Sequence, residues 1–353
     1  MTWMDALVVG GGQAGLAAAH ALRRAGLAPV LLEAGAEPVG AWPSYYDSLT
    51  LFSPACHSGL PGMAFPGDPN RYPRRDEVVD YLRDYARRLV DERAVDIRTH
   101  HRVRAAHHDG TGWRVGLADG SELRARLLIA ATGSFGNPHR PALPGLEAFT
   151  GAVLHSAEYR EPAGFTGQRV VVVGAGNTAV QIGVELAAHA RVTLATRTPV
   201  TFVPQRPLGR DVHFWSRLLG LDSAPIGHLL RTPPHQPVLD RGRYRAGLAA
   251  DRPDQRRVFT AVEGSELIWP DGAREHVDTV ILATGYRPDL SWLTDPDVFD
   301  GGGRPRQRHG LATVRPSLGF VGLEWQRSLA SATLRGVGRD AHHLVRRLIR
   351  GAR

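Results

Sequence analysis

Apolar positions along the chain fall into short unbroken runs and stretches with a period near 3.6, and the two kinds alternate in a fixed order. Asp5 to Val9 reads as a buried strand, an alanine- and leucine-rich helix follows to Ala25, and a second apolar run covers Pro29 to Leu32. The same order returns with a strand from Arg169 to Val173, a helix to about His189 and a strand from Arg191 to Thr196. Between the two units, Val78, Val79, Leu82, Tyr85, Ala86, Leu89 and Val90 mark one face of a helix. Arg102 to Ala106 and Trp113 to Leu117 alternate as strands about a His108-Asp109-Gly110 turn, and Ala118-Asp119-Gly120 makes the next turn. A buried strand from Leu127 to Ala131 then runs into Thr132-Gly133, and Ile281 to Gly285 repeats that ending. The echo predicts two domains of one ancestry.

Each unit places a glycine turn between strand and helix. Gly10-Gly11-Gly12-Gln13-Ala14-Gly15 opens the first helix, and Gly174-Ala175-Gly176-Asn177-Thr178-Ala179 opens the second. In such a turn the first glycine allows the tight bend, the second lets backbone approach a pyrophosphate, and the third, or alanine, lets helix and strand pack closely. The helix N-terminus then faces the phosphate charge. The first unit carries Glu33 at the end of its second strand, where a carboxylate accepts hydrogen bonds from ribose hydroxyls; the equivalent position in the second unit is Arg197. A free adenosine ribose suits the acid, whereas a 2′-phosphate is repelled by it and attracted by a guanidinium. The first unit is thereby assigned FAD and the second NADPH, with Arg206 or Arg210 as the alternative source of the phosphate contact. The fold class is α/β: two Rossmann-like dinucleotide-binding domains, the NADPH domain inserted into the FAD domain. Residues 1–148 form the first part of the FAD domain, 149–286 the NADPH domain and 287–353 the C-terminal part of the FAD domain.

Three segments lie outside the repeated pattern. Gly136 to Gly145, with Pro138, Pro141 and Pro144, reads as a stiff crossing between domains. Gly319 to Gly322 reads as a short strand reaching a ligand, and residues from about Ser328 as a helix whose positive end faces the flavin ring or as an ordinary amphipathic helix. Gln205 to Gln255 fits neither domain pattern and reads as a lid, a substrate wall, a subunit contact or an irregular surface excursion.

Composition narrows the function classes. The formal charge is +8 and every basic residue is arginine, but the arginines alternate with Asp and Glu instead of clustering, so no nucleic-acid partner is expected. One cysteine, Cys56, excludes a dithiol couple within the chain and reads as a small packed residue. No segment has the run of apolar residues that a membrane span needs, so the protein is expected to be cytoplasmic, without a membrane partner. No histidine spacing indicates a metal, and His342-His343 is expected to face solvent.

Phe149-Thr150-Gly151-Ala152-Val153-Leu154-His155-Ser156-Ala157-Glu158-Tyr159 matches an FxGxxxHxxx(Y/F) signature just before the second glycine turn. With both turns and both ATG endings, the chain resembles the flavin-containing monooxygenase family, especially its smaller bacterial members. Tyr45 to Pro54 and Gly322 to Ser328 look like the arsenic-resistance-associated branch, although the first stretch has no asparagine where better-known members carry one near the flavin. The resemblance implies that Trp42, Val103, Thr132, Gly133 and Gly322 join the FAD site, and that Thr284 and Gly285 join the NADPH site. His155 is a candidate base by its pKa, and the resemblance gives it domain coupling and nicotinamide placement instead. Tyr159, where Baeyer-Villiger members usually carry Trp, points to nitrogen or sulfur oxygenation. The implied reaction uses NADPH, FAD and dioxygen to form a flavin hydroperoxide that oxygenates a small nucleophilic substrate, with a homodimer possible. The alternatives are an NADPH-dependent reductase serving a small redox protein and a non-catalytic redox sensor.

Overall fold

The computed structural model describes residues 3–92, 95–230 and 237–351. The chain begins with β1 (Met4–Val9), α1 (Gln13–Arg24) and β2 (Pro29–Leu32), continues through α2 (Arg75–Asp91) and β3 (Asp96–Arg98), and adds β4 (Val103–His108), β5 (Trp113–Leu117) and β6 (Glu122–Ala130). Strands β3, β2, β1 and β6 lie side by side and parallel, with β5 and β4 folded antiparallel onto β6. The apolar run in β1 is unbroken because both faces are covered. Ala6 and Val8 pack with Leu16, Leu82 and Leu344, whereas Leu7 and Val9 pack with Trp113 and Val115.

The second unit comprises β7 (Ala152–His155), β8 (Arg169–Val173), α3 (Asn177–Leu186), β9 (Arg191–Thr196), β10 (Phe202–Pro204), α4 (Val212–Leu218), β11 (Val238–Asp240), α5 (Arg243–Ala249) and β12 (Asp254–Arg257), then the antiparallel meander β13 (Ala261–Glu263), β14 (Glu266–Ile268), β15 (Arg274–His276) and finally β16 (Thr279–Leu282). Its sheet runs β12-β9-β8-β16-β7, all parallel, reproducing the β3-β2-β1-β6 order of the first unit. Here too alternate residues of the central strand enter different cores, Val170 and Val172 with Ile182, and Val171 and Val173 with Phe259 and Trp269.

The remaining strands return to the first sheet: β17 (Gln307–Arg308) and β18 (Leu311–Ala312) pair antiparallel, and β19 (Leu318–Phe320) lies parallel to β6. The C-terminal helix α6 (Leu334–Gly351) packs against α1. Both glycine turns consequently sit at the carboxyl ends of parallel strands, the usual ligand side of such sheets. Among the described residues no helix is long and apolar enough to cross a membrane.

Several expected boundaries move. Helix α6 begins at Leu334 instead of Ser328, because the Ser331 hydroxyl accepts from the amides of Arg327 and Ser328 and folds that stretch into turns. The second-unit helix stops at Leu186, and β6 begins at Glu122. Residues 254–255, at the end of the stretch that fits neither domain pattern, lie in β12 at the edge of the second sheet.

Candidate functional site

Gly10 adopts φ 105, a conformation that only glycine takes readily, and its amide donates to the Leu32 carbonyl at 2.8 Å. A Cβ on Gly15 would lie 1.8 Å from the Gly10 carbonyl oxygen, so the absence of a side chain lets α1 seat against the turn. Gly12 differs: a Cβ there meets only the Gly40 Cα, at an ordinary 3.5 Å, and its backbone is extended at φ −75. Packing within the protein does not require glycine at position 12, and the open side is a cradle that a side chain would fill. The buried Glu33 carboxylate accepts from the amides of Gly11 at 2.7 Å and Gly35 at 2.6 Å. Those bonds orient it at the end of β2, with further lone pairs left for a sugar. Gln13 accepts from the Trp42 indole at 2.7 Å and donates to the Ala332 carbonyl at 3.3 Å, tying α1 to the segment before α6. Gly322 approaches so closely that its Cβ would lie 2.7 Å from that of Ala14. Val103 opens β4, just beyond His101, whose amide donates to the Glu33 carbonyl.

The second turn repeats the design. Gly174 has φ 146, and Ala179 is fully buried beneath it. Gly176, at φ −86, has nothing within 4 Å of a built Cβ, so this cradle is open too. The Asn177 side-chain oxygen accepts from the Leu239 amide at 3.4 Å, and Thr178 is half-buried on the first turn of α3. Arg197 is exposed directly after β9 and makes no ion pair among the described residues. Burial and the nearby charges of Arg287 and Arg197 lower the pKa of His139, which places that histidine within electrostatic reach of both guanidinium groups.

The two crossings between domains run side by side. Pro138 bridges Tyr286, the His139 amide donates to Gly285, Arg287 to Asn137 and Asp289 to Gly133. The threonines of the two ATG endings lock this pair reciprocally: the Thr132 hydroxyl donates to the Asp289 carbonyl, and the Thr284 hydroxyl to that of His139. His155, fully buried at the end of β7, accepts from the Ala157 amide on Nδ1 and donates from Nε2 to Gly285, both at 3.1 Å. Burial holds its pKa below the usual value. A neutral imidazole with both nitrogens engaged holds the second crossing and has no proton-accepting position free. An aromatic row continues from it: ring centroids lie 5.0 Å apart for His155 and Tyr286, 5.3 Å for Tyr286 and Phe135, 4.6 Å for Phe135 and Tyr45, and 5.6 Å for Tyr45 and Trp42. It links the second domain to the first glycine turn through Gln13.

Residues 205–230 reach from the second domain onto the first. Gln205 donates to the Phe52 carbonyl and to Asp211, which also accepts from Tyr72 and His213; Arg335 pairs with Asp222, and the Gly227 amide donates to Arg327. The segment is therefore a strap between domains, while α5 packs on α3 within the second domain. Cys56 is exposed rather than packed, and of the histidine pair expected to face solvent His342 is exposed whereas His343 is half-buried, its ring 5.9 Å from that of His309. Tyr159 lies buried on Glu185, with a 2.9 Å hydrogen bond. Sequence reasoning missed Gly40, whose φ of 59 and closeness to Gly12 complete the first cradle, and the Tyr45, Phe135 and Tyr286 row. The glycine before Ala41-Trp42 was the only visible signal.

A model of the pyridine nucleotide-disulphide oxidoreductase family matches residues 7–210. The uncharacterized CzcO-like oxidoreductase of Geobacillus kaustophilus is 33% identical over 348 residues, covering 97% of each chain. The rice indole-3-pyruvate monooxygenase YUCCA1 is 32% identical, covering 97% of this chain and 92% of its own. The solved flavin-containing monooxygenase from Stenotrophomonas maltophilia superposes with a TM-score of 0.87 at 34% identity, covering 99% of both chains. The single cysteine, Cys56, leaves no pair for a dithiol within the chain. With two open dinucleotide cradles and these relatives, the chain belongs to the pyridine nucleotide-disulphide oxidoreductase family and, within it, to the bacterial flavin-containing monooxygenases, flavin-dependent oxidoreductases that use FAD and NADPH.

Proposed function

We propose that this chain uses NADPH and dioxygen to place one oxygen atom on a small nitrogen- or sulfur-containing nucleophile. The observation that carries the reading is the pairing of two equivalent cradles with opposite charges, Glu33 in one and Arg197 in the other. Bound FAD would take hydride from NADPH and supply the activation of dioxygen. Gly10, Gly12, Gln13, Ala14 and Gly15 would hold its pyrophosphate at the N-terminus of α1, whose own first turn carries no acidic side chain. Glu33 would hold the ribose, with Val103 beside it, while Trp42, Thr132, Gly133 and Gly322 would enclose the remainder.

Gly174, Gly176, Asn177, Thr178 and Ala179 would hold NADPH in the same manner, Arg197 would take its 2′-phosphate, and Thr284 and Gly285 would border it. His155 would keep the second crossing, and with it the nicotinamide side of the cleft, at a fixed distance from the first domain. The aromatic row would exclude water from the space between the cofactors.

Incubation with NADPH and labelled dioxygen tests the reaction. The expected result is label in the product of an amine or thioether, with NADPH consumption dependent on that substrate. Recovery of all NADPH electrons as hydrogen peroxide with every such substrate would overturn it, and electron delivery to a small redox protein without labelled product would favour a reductase.

Arg197→Ala tests the charge assignment. Because Arg197 is exposed, its phosphate contact is set at the low end for charge-assisted hydrogen bonds, about 1.5 kcal/mol. The KM for NADPH should rise roughly tenfold with little change for NADH. Equal shifts for both coenzymes would move the contact elsewhere, to Arg206 or Arg210.

A further inference from the structure

The strap is inside out. Among the described residues from 205 to 230, those that are buried are Gln205, Asp211, His213, Asp222 and Gly227, whereas every exposed one is leucine, isoleucine, proline, glycine or arginine. Folding ordinarily sorts side chains the other way, so a polar inner side beneath an apolar outer side calls for a cover. Of the large apolar side chains that stand exposed among the described residues, only Trp3 and Val90 lie outside this segment; the others are Leu208, Leu218, Leu219, Leu221, Ile226 and Leu229. Leu208 is 89% exposed, Leu229 69% and Leu219 68%, so these side chains project from the surface.

The polar side holds this face in place. Asp222 pairs with Arg335 at 3.1 Å, the Gly227 amide donates to the Arg327 carbonyl at 2.9 Å, and Asp211 accepts from Tyr72, Gln205 and His213. The Asp222 amide donates to the Ser216 carbonyl and the Leu229 amide to that of Ile226, so α4 and the turns after it form one folded unit. Leu208 adopts φ 51, a conformation that costs a bulky residue energy, and it leads into Gly209 at φ 76. That tip carries its side chain outward, where the core of neither domain gains from it.

Charge selects the cover. Arg206, Arg210 and Arg217 are exposed on this face and make no ion pair among the described residues, while both acids of the segment, Asp211 and Asp222, are buried and engaged. Elsewhere in the chain guanidinium groups are answered by carboxylates, as Arg83 is by Glu37 and Asp80. A second copy related by a two-fold axis would set this cationic face against itself. The cover must bring anionic groups together with hydrocarbon that accepts isolated projecting side chains without a matched pocket for each. A bilayer containing anionic lipids has both. We propose that the outer face of the strap docks on the surface of an anionic lipid bilayer, its leucines entering the acyl boundary while the three guanidinium groups stay at the phosphates. This is adsorption rather than a span, and it reverses the expectation, drawn from the lack of spans, of no membrane partner.

The test is flotation of the FAD-loaded full chain with vesicles of phosphatidylcholine alone and of phosphatidylcholine mixed with phosphatidylglycerol. Wild type should partition onto the mixed vesicles at least about tenfold more strongly, and added salt should weaken that preference. Leu218→Ser combined with Leu219→Ser should reduce binding to mixed vesicles about tenfold, and Arg217→Gln about fivefold, each with the flavin content of wild type. Leu229→Ser, outside α4, should act in the same direction and guards against a local defect in that helix. No binding by wild type, equal binding to both vesicle types, or leucine variants with normal flavin content that bind as wild type does would overturn the proposal. A dimer in sedimentation that the leucine substitutions dissolve, in place of vesicle binding, would overturn it in favour of a second copy.

Discussion

Gly12→Val should give a folded but colourless protein. The backbone at Gly12 is extended and the nearest protein atom to a new Cβ is the Gly40 Cα at 3.5 Å. The cost to the fold is therefore mainly that of a poor helix N-cap, about 1 kcal/mol. The added methyl groups instead project into the space proposed for the pyrophosphate. A loss of at least about 4 kcal/mol in FAD affinity, near a thousandfold, is expected where backbone must touch phosphate directly. Gly15→Ala is the instructive contrast, because its Cβ would lie 1.8 Å from the Gly10 carbonyl oxygen and the damage falls on the fold itself. Circular dichroism and the flavin absorbance of the purified variants separate the two effects. Gly12→Val protein retaining a full yellow spectrum would contradict the proposed site.

Gly176→Val should leave the protein yellow and make it unresponsive to NADPH. No atom lies within 4 Å of the new Cβ, and the φ of −86 suits any residue, so the second domain should fold as before. Anaerobic mixing with NADPH should no longer bleach the flavin on the wild-type timescale, with the apparent affinity weakened by roughly two orders of magnitude or more. Dithionite should still reduce it, which shows that the flavin itself is intact. Reduction by NADPH at the wild-type rate and affinity would remove the second cradle from the coenzyme site. The two variants together ask whether the cradles divide the labour as their charges suggest.

Much of the fold was legible because the central strands are covered on both faces. Pro29–Leu32, Arg169–Val173, Arg191–Thr196 and Trp113–Leu117 are strands within the bounds their apolar patterns indicate. Strand β12 was not legible, since Asp-Gln-Arg-Arg has no hydrophobic pattern. It is held at the sheet edge by polar contacts instead: Asp254 accepts from the Thr193 hydroxyl at 2.6 Å, and Arg256 lies 3.5 Å from Glu275. The start of α6 was lost for a related reason, because turns tied by Ser331 outweigh the local helical pattern.

At the site, each glycine turn is written in one contiguous motif, and Glu33 and Arg197 follow at a readable spacing, whereas Gly40, which completes the first cradle, lies outside its motif. The aromatic row is assembled from Trp42 and Tyr45 of one segment and Phe135, His155 and Tyr286 of three others, which the paired crossings help to bring together. The strap has the same character. Its anchoring residues, Gln205, Asp211 and Asp222, find their partners in Phe52, Tyr72 and Arg335 of the first domain.

The central claim is that one duplicated architecture holds two different dinucleotides, separated by the sign of charge at equivalent corners. Its most direct measurement is the flavin content of the purified wild-type chain, followed by anaerobic titration with NADPH and NADH. One FAD per polypeptide, reduced by NADPH at far lower concentration than by NADH, is the predicted result. A chain that is isolated colourless and takes up no added FAD, or whose flavin responds identically to both coenzymes, would contradict it.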